Sequence, residues 1–77
     1  MDYIVEEEIK NRIRRILIEC REERQMTQTD VGKVVGKSKN AVGSWEQGLS
    51  MPDAATLYRL AQYYGKSLSY MYGESDE

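Results

Sequence analysis

The sequence predicts an all-α fold: a compact domain of five helices in which the first helix is extended at its N-terminus. Apolar residues recur at helical spacing in every long segment, and no segment alternates apolar and polar residues as a strand would. Gly, Ser, Asp and Pro residues divide the chain at short intervals, as the loops between helices require. A chain of 77 residues can bury one core.

The first predicted helix spans residues 3–24, with an apolar stripe along its whole length. Glu6, Glu7 and Glu8 lie near its start, where the helix dipole favours negative charge. We divide the chain into an extension of this helix (1–12), a domain (13–73) and a frayed acidic tail (74–77). The stripe consists of Val5, Ile9, Ile13, Ile16, Leu17 and Cys20.

Two short helices joined by a tight turn are predicted between residues 27 and 48. The first spans about residues 28–35, with Thr27 as its N-cap, and Gly36 breaks it. The second spans about residues 39–47, with Ser38 as its N-cap and Gly48 at C′. Such a helix-turn-helix can place its second helix in the major groove of DNA. A plain αα-hairpin in a small bundle is the alternative.

The polar side of the second short helix favours the first interpretation. Ala41, Val42 and Trp45 form its apolar side. Its other side chains are hydrogen-bonding types without a carboxylate, although Glu is common elsewhere in the chain, and such a face suits base edges and phosphates. These residues are Lys39, Asn40, Ser44 and Gln47.

Two further helices complete the predicted fold. Residues 49–52 form a loop, and Asp53 caps a helix over about residues 54–64 that Gly65 ends. A short fifth helix covers about residues 67–72 before Gly73.

Charge and composition restrict the classes of function. The net charge is −2, but seven acidic residues lie in segments 1–8 and 74–77, so residues 9–73 hold eleven basic residues against six acidic ones, a net of +5. With one Cys and no His, a disulfide framework and a Cys/His zinc site are excluded within one chain, and we expect no metal or cofactor. No nucleophile motif or phosphate-binding Gly loop occurs, so we expect no enzyme. No signal peptide or membrane-spanning run is visible, which predicts a cytoplasmic protein.

A series of motif residues runs through residues 13–73. This series resembles the lambda-repressor-like helix-turn-helix family, also called the Cro/phage-repressor or xenobiotic-response-element (XRE) type. The resemblance implies a sequence-specific DNA-binding regulator, usually dimeric on a palindromic operator. The series comprises Ile13, Leu17, Cys20, Arg21, Thr27, Gln28, Val31, Gly32, Gly36, Ser38, Val42, Trp45, Glu46, Gln47, Gly48, Pro52, Leu57, Leu60, Ala61, Gly65, Ser67, Leu68 and Gly73.

The resemblance also assigns roles. Gln28 would hold a phosphate and brace the first recognition residue, and Arg21 would pair with Glu46. Asn can bond adenine and Lys can bond guanine, as base reading requires. Each role has an alternative. Lys39 would be solvated or bound to a phosphate, Asn40 would only help to cap the helix, and Ser44 would make no contact with DNA. Lys37 would simply be exposed, and Arg21 would be exposed and bind a phosphate. The base-reading candidates are Lys39, Asn40 and Ser44, and the phosphate-binding candidates are Thr27, Gln28, Lys37, Ser38 and Gln47.

Two hypotheses of function follow. The first is a repressor that binds double-stranded DNA as a homodimer. Under this hypothesis we expect neither a small-molecule ligand nor binding to a membrane. The second is a protein-binding module such as an antitoxin. Its partner would bind the surplus apolar face of the first helix and the Tyr-rich C-terminal part of the chain, which holds Tyr58, Tyr63, Tyr64, Tyr70 and Tyr72. The dimer would form through Tyr70, Met71 and Tyr72 with loop 49–51, or through Val5, Ile9 and Ile16.

Gly32 and Gly43 lie inside predicted helices, where Gly costs roughly 0.5–1 kcal/mol relative to Ala. We expect a close backbone approach at both.

Overall fold

The computed structural model describes residues 3–76, and this part of the chain contains helices joined by short loops and no strand. The predicted extension and acidic tail include Met1, Asp2 and Glu77, which lie outside the described residues. The helices are α1 (Glu6–Glu23), α2 (Gln28–Val35), α3 (Lys39–Glu46), α4 (Ala54–Tyr64) and α5 (Leu68–Met71).

The predicted N-caps are confirmed. The Thr27 hydroxyl accepts a hydrogen bond from the backbone N–H of Asp30 at 3.0 Å, and the Ser38 hydroxyl accepts one from Ala41 at 3.1 Å. The Asp53 carboxylate accepts one from Thr56 at 2.8 Å. Each cap satisfies a backbone donor that has no partner within its helix.

The boundaries of three helices, α1, α3 and α5, differ from the prediction by one to three residues. Val5 is extended (φ −80°, ψ 153°), so α1 begins at Glu6 and places three glutamates in its first turn. Gln25, with φ 55°, follows the end of α1. Gln47 and Tyr72 are the C-cap residues of α3 and α5 and lie outside the helices that they were predicted to complete.

The core takes buried hydrophobic residues from all five helices. Ile9 and Ile16, predicted as part of a surplus apolar face, are partly buried and pack against it. Val5 does not, since it is 64% exposed. The buried hydrophobic residues are Ile13, Leu17, Cys20, Val31, Val35, Val42, Trp45, Leu57, Leu60, Ala61, Tyr64 and Met71.

Cys20 is a buried core residue, as predicted. Burial raises the pKa of its thiol, and burial also raises the pKa of Tyr64 to about 12. Within residues 3–76, no helix combines the length and apolar character needed to cross a membrane.

The start of the acidic tail is docked on α1, so the prediction of a frayed tail is wrong for Glu74. Its carboxylate accepts a hydrogen bond from Arg12 Nη1 at 2.7 Å, and its backbone N–H donates to Ser69 O at 2.8 Å. A groove of about 240 Å³ lies beside this ion pair. It is lined by Ile4, Ile9, Arg12, Tyr72 and Glu74.

Candidate nucleic-acid interface

The turn between α2 and α3 is tightly built. Gly36 adopts a left-handed conformation (φ 70°), which favours Gly, and Lys37 N–H donates to Gly32 O at 2.8 Å. A Cβ at Gly32 would lie 2.5 Å from Lys37 O, so only Gly fits there. The expected close backbone approach is therefore present at Gly32, where the backbone of the turn lies directly against α2.

The expectation is wrong for Gly43. A Cβ at that position would lie 3.5 Å from Oε1 of Gln28, which is ordinary van der Waals contact with a side chain. Gly43 is buried between α3 and α2, but no backbone presses on it.

Opposite faces of α3 have opposite roles. Val42 and Trp45 are buried in the core, whereas Lys39 and Asn40 are exposed in the first turn. Neither exposed side chain forms a hydrogen bond or ion pair within the described part of the chain. The first turn of α3 also has no acidic residue, so the positive end of the helix dipole is not neutralised there.

A nearly buried ion pair fixes the far end of α3 to α1. Arg21 Nε lies 2.8 Å from Glu46 Oε2, and Arg21 Nη2 lies 2.9 Å from Glu46 Oε1. Arg21 Nη1 also donates to Met26 O at 2.9 Å. The hydrogen bonds to Glu46 raise the pKa of Arg21. Since the guanidinium is engaged on all three nitrogens, it is not the exposed phosphate ligand considered as an alternative.

Gln28 belongs to the same network. Its side-chain Nε2 donates to Glu46 Oε1 at 3.1 Å, and Gln28 is half-buried against Gly43. In this structure the amide therefore braces the carboxylate at the C-terminal end of α3, rather than the first recognition residue at its N-terminal end.

Two other predicted contact residues have partners inside the protein. Ser44 Oγ lies 2.7 Å from Ser50 Oγ, which connects α3 to the loop after it. Lys37 Nζ lies 3.5 Å from Asp53 Oδ2, the carboxylate that caps α4. Each of these residues therefore already uses part of its hydrogen-bonding capacity on a partner within the protein.

Three phosphate candidates lie at helix ends. The hydroxyls of Thr27 and Ser38 are occupied as caps, so their contribution is to hold the backbone N–H groups of the first turns in place. Gln47 is exposed and is the C-cap of α3.

The residues predicted to form a dimer surface differ in how far they are buried. Met71 is fully buried, so it serves the core and cannot form a surface of the folded protomer. Tyr70 is half-buried, with Lys66 Nζ 4.6 Å from its ring centroid, and Tyr72 is 39% exposed.

One cation that the sequence did not single out lies beside α3. The side chain of Arg14, from α1, reaches Gly48, where a Cβ would lie 3.3 Å from Arg14 Cδ and 3.7 Å from Nε. This contact joins residues 34 positions apart, so no local pattern indicates it.

These features define a helix-turn-helix module. Its turn is closed at Gly36, its second helix buries an apolar side, and the polar residues in the first turn of that helix are exposed and unpaired within residues 3–76. A family model described as helix-turn-helix matches residues 17–71, and the chain belongs to this lambda-repressor-like family, whose members are DNA-binding regulators. No curated protein is significantly similar in sequence.

A solved structure shares the fold. It is a crystal structure of the P22 c2 repressor protein in complex with synthetic operator 9T in the presence of Tl+. The TM-score is 0.75 at 24% identity, and the match covers 82% of this chain and 96% of that chain.

Proposed function

We propose that the protein is a transcriptional repressor that binds a palindromic DNA operator as a homodimer, with α3 as its recognition helix. The observation that carries this proposal is the exposed first turn of α3. There Lys39 and Asn40 have no partner within residues 3–76 and no carboxylate beside them. The structurally similar P22 c2 protein is a repressor bound to an operator, which supports the same role here.

Asn40 and Lys39 are the side chains that read bases in this proposal. Asn can bond N6 and N7 of adenine at once, and Lys can reach O6 and N7 of guanine. Ser44 ranks below them, because its hydroxyl already forms a hydrogen bond with Ser50. The N-termini of α2 and α3 and the Gln47 side chain hold phosphates and set the register.

A homodimer explains how so short a recognition helix achieves specificity. Two half-sites one helical turn apart lie about 34–36 Å from each other, and a two-fold dimer reaches both. We assign the interface to Tyr70 and Tyr72 with the loop that contains Leu49, which is 71% exposed. Tyr72→Glu should then lower the dimer fraction in sedimentation, whereas Val5→Glu should leave it unchanged. The reverse result would move the interface to the start of α1.

Selection of random duplex DNA by the purified protein, followed by titration of the recovered sequence, tests the function. The expected result is a palindromic sequence. Asn40→Ala should weaken binding to it by about 1–3 kcal/mol and relax the preference at one base pair. Asn11→Ala is the matched control, since Asn11 is an exposed asparagine on α1, and it should leave the affinity unchanged.

Two outcomes would contradict the proposal. An equal loss on selected and random DNA with Asn40→Ala would refute base reading at that position. If no duplex is enriched at low salt, the protein is better explained as a protein-binding module such as an antitoxin. The exposed apolar residues Tyr3 and Val5 would then be the first candidates for its interface.

A further inference from the structure

We propose that Arg14, a residue of α1 outside the helix-turn-helix, binds a DNA phosphate at the C-terminal end of the recognition helix. This inference rests on the proposed function and adds a contact to it. It starts from the position of the Arg14 side chain against Gly48, the residue that directly follows the α3 C-cap.

Gly48 makes this position accessible to Arg14. Its φ of +76° and its missing Cβ leave room for the aliphatic part of the arginine, whose Cδ would lie 3.3 Å from a Cβ there. Because Nε also lies close to Gly48, at 3.7 Å from that Cβ position, the guanidinium group is held beside the end of α3. The half-buried stem restricts the side chain, so less conformational entropy is lost when the charge binds.

Among residues 3–76, Arg14 differs from most other basic residues in having no partner. No acidic residue lies three or four positions before or after it in α1, where Lys10, Asn11, Leu17 and Ile18 stand. It forms no ion pair or hydrogen bond with any residue between 3 and 76. By contrast, carboxylates pair with Lys10, Arg12, Arg21 and Lys37, and tyrosine rings lie against Arg24 and Lys66.

The dimensions of α3 place a phosphate near this charge. Eight helical residues span about 12 Å, close to the width of the major groove, and phosphates line both of its edges. When the first turn of α3 contacts base edges, its C-terminal end approaches the groove wall. The last turn of α3 has no basic residue, and neither do positions 47–51, so Arg14 supplies the positive charge there. Its planar guanidinium can bind a phosphate through two hydrogen bonds.

A purely structural role makes a different prediction. A cation near a helix C-terminus stabilises the helix dipole, and Arg14 could act in this way on α3. In that case its removal would lower the thermal midpoint and leave the dependence of DNA binding on salt unchanged. A phosphate contact instead contributes about −0.9 to the slope of log K against log salt concentration.

The test measures this slope for the full chain on the selected operator, by fluorescence anisotropy, in three variants and the wild type. Arg14→Met keeps an aliphatic stem against Gly48 but removes the charge, and Arg14→Lys keeps the charge. Arg15→Met is the matched control, since Arg15 is the next residue, is exposed, and donates only to Asn11 O of its own helix. Thermal melting verifies that each variant is folded, and Arg14→Gln replaces Arg14→Met if the latter unfolds.

Arg14→Met should flatten the slope by about 0.9 per protomer and weaken binding to selected and random DNA alike. Arg14→Lys should retain the wild-type slope, and Arg15→Met should change it by much less than Arg14→Met. An unchanged slope in Arg14→Met, or equal changes in Arg14→Met and Arg15→Met, would overturn the assignment of Arg14 alone. A wild-type protein that binds no duplex would overturn the proposed function itself.

Discussion

The helices α2 and α3 have the same length but differ in their first turns, since only that of α2 contains an acidic residue. Each has eight residues, a hydroxyl N-cap and a buried apolar side. In α2, however, the Asp30 carboxylate accepts a hydrogen bond from Thr27 N–H at 2.9 Å and completes a capping box. In α3 the equivalent position is Ala41, so no carboxylate closes the start. The acid stabilises the start of α2, and its absence makes the start of α3 the more attractive of the two to an anion.

The C-terminal halves of the two helices differ as well. Gly32 of α2 is pressed against the turn, whereas the atoms nearest to a Cβ at Gly43 of α3 belong to the Gln28 side chain. The last residue of α3, Glu46, carries the ion pair that fixes this helix to α1. Substitutions at Gly32, Gly43 and Glu46 therefore test the contacts that hold α2 and α3 in place without changing the exposed polar side chains of α3.

The largest effect is expected from Glu46→Ala. The side chains of Arg21 and Glu46 are only 18% and 7% exposed, and removing one partner leaves the other charge nearly buried and unpaired. We expect a loss of about 3 kcal/mol in the free energy of unfolding, measured by urea denaturation. Glu22→Ala, the same change at an exposed glutamate, is the control and should cost less than about 0.5 kcal/mol. Equal losses would mean that the pair does not hold α3.

Gly32→Ala should have the next largest effect. The added methyl would lie 2.5 Å from Lys37 O, so the turn must move, and such overpacking costs about 1–3 kcal/mol. Thermal unfolding measures the loss. A stability equal to that of the wild type would show that the turn accommodates the added methyl group without cost.

Gly43→Ala is the matched change in α3 and should have the opposite sign. The new methyl fits at 3.5 Å from Gln28 Oε1, and Ala is favoured over Gly in a helix by roughly 0.5–1 kcal/mol. The midpoint of thermal unfolding should rise. A fall in this midpoint would indicate that the buried space around Gly43 is tighter than ordinary contact.

The smallest effect concerns the pH dependence of α2. The hydrogen bond from the Thr27 backbone, and then the one with its side chain, lower the pKa of Asp30. A lowered pKa in the folded state means that this stabilisation is complete above the unfolded pKa of about 3.9 and is lost as the pH falls through the folded value. The thermal midpoint of Asp30→Asn should therefore fall less than that of the wild type in acid. Glu19→Gln, at an exposed carboxylate that forms no hydrogen bond within residues 3–76, is the control.

Local signals predicted the frame of the molecule, because the groups involved are close in sequence. Thr27, Ser38 and Asp53 each cap a helix through a backbone donor three residues on, so sequence spacing is sufficient to find them. The turn at Gly36 is visible for the same reason. Met71 shows the limit, since its place at the end of a helix says nothing about whether it faces the core or a partner.

The contacts that organise the polar face were not predictable in this way. Gln28 and Glu46 are 18 positions apart, and Arg14 meets Gly48 only because α1 and α3 pack together. The partner of the Gln28 amide depends on the positions of the surrounding side chains in the folded protein, where several polar groups could bind it. Sequence identifies the members of such a network by type but does not determine their pairing.

The Arg12–Glu74 ion pair has a consequence for how the protein is made. It joins residues 62 positions apart, and the helix that precedes Glu74 contributes the fully buried Met71 to the core. A nascent chain that has left the ribosome only as far as α4 therefore exposes the part of α1 that α5 covers in the folded protein. Contacts this distant in sequence slow folding, since the connecting chain must be ordered before they form. We expect the exit of Glu74 from the ribosome to be the moment at which the domain becomes protected from proteases and chaperones.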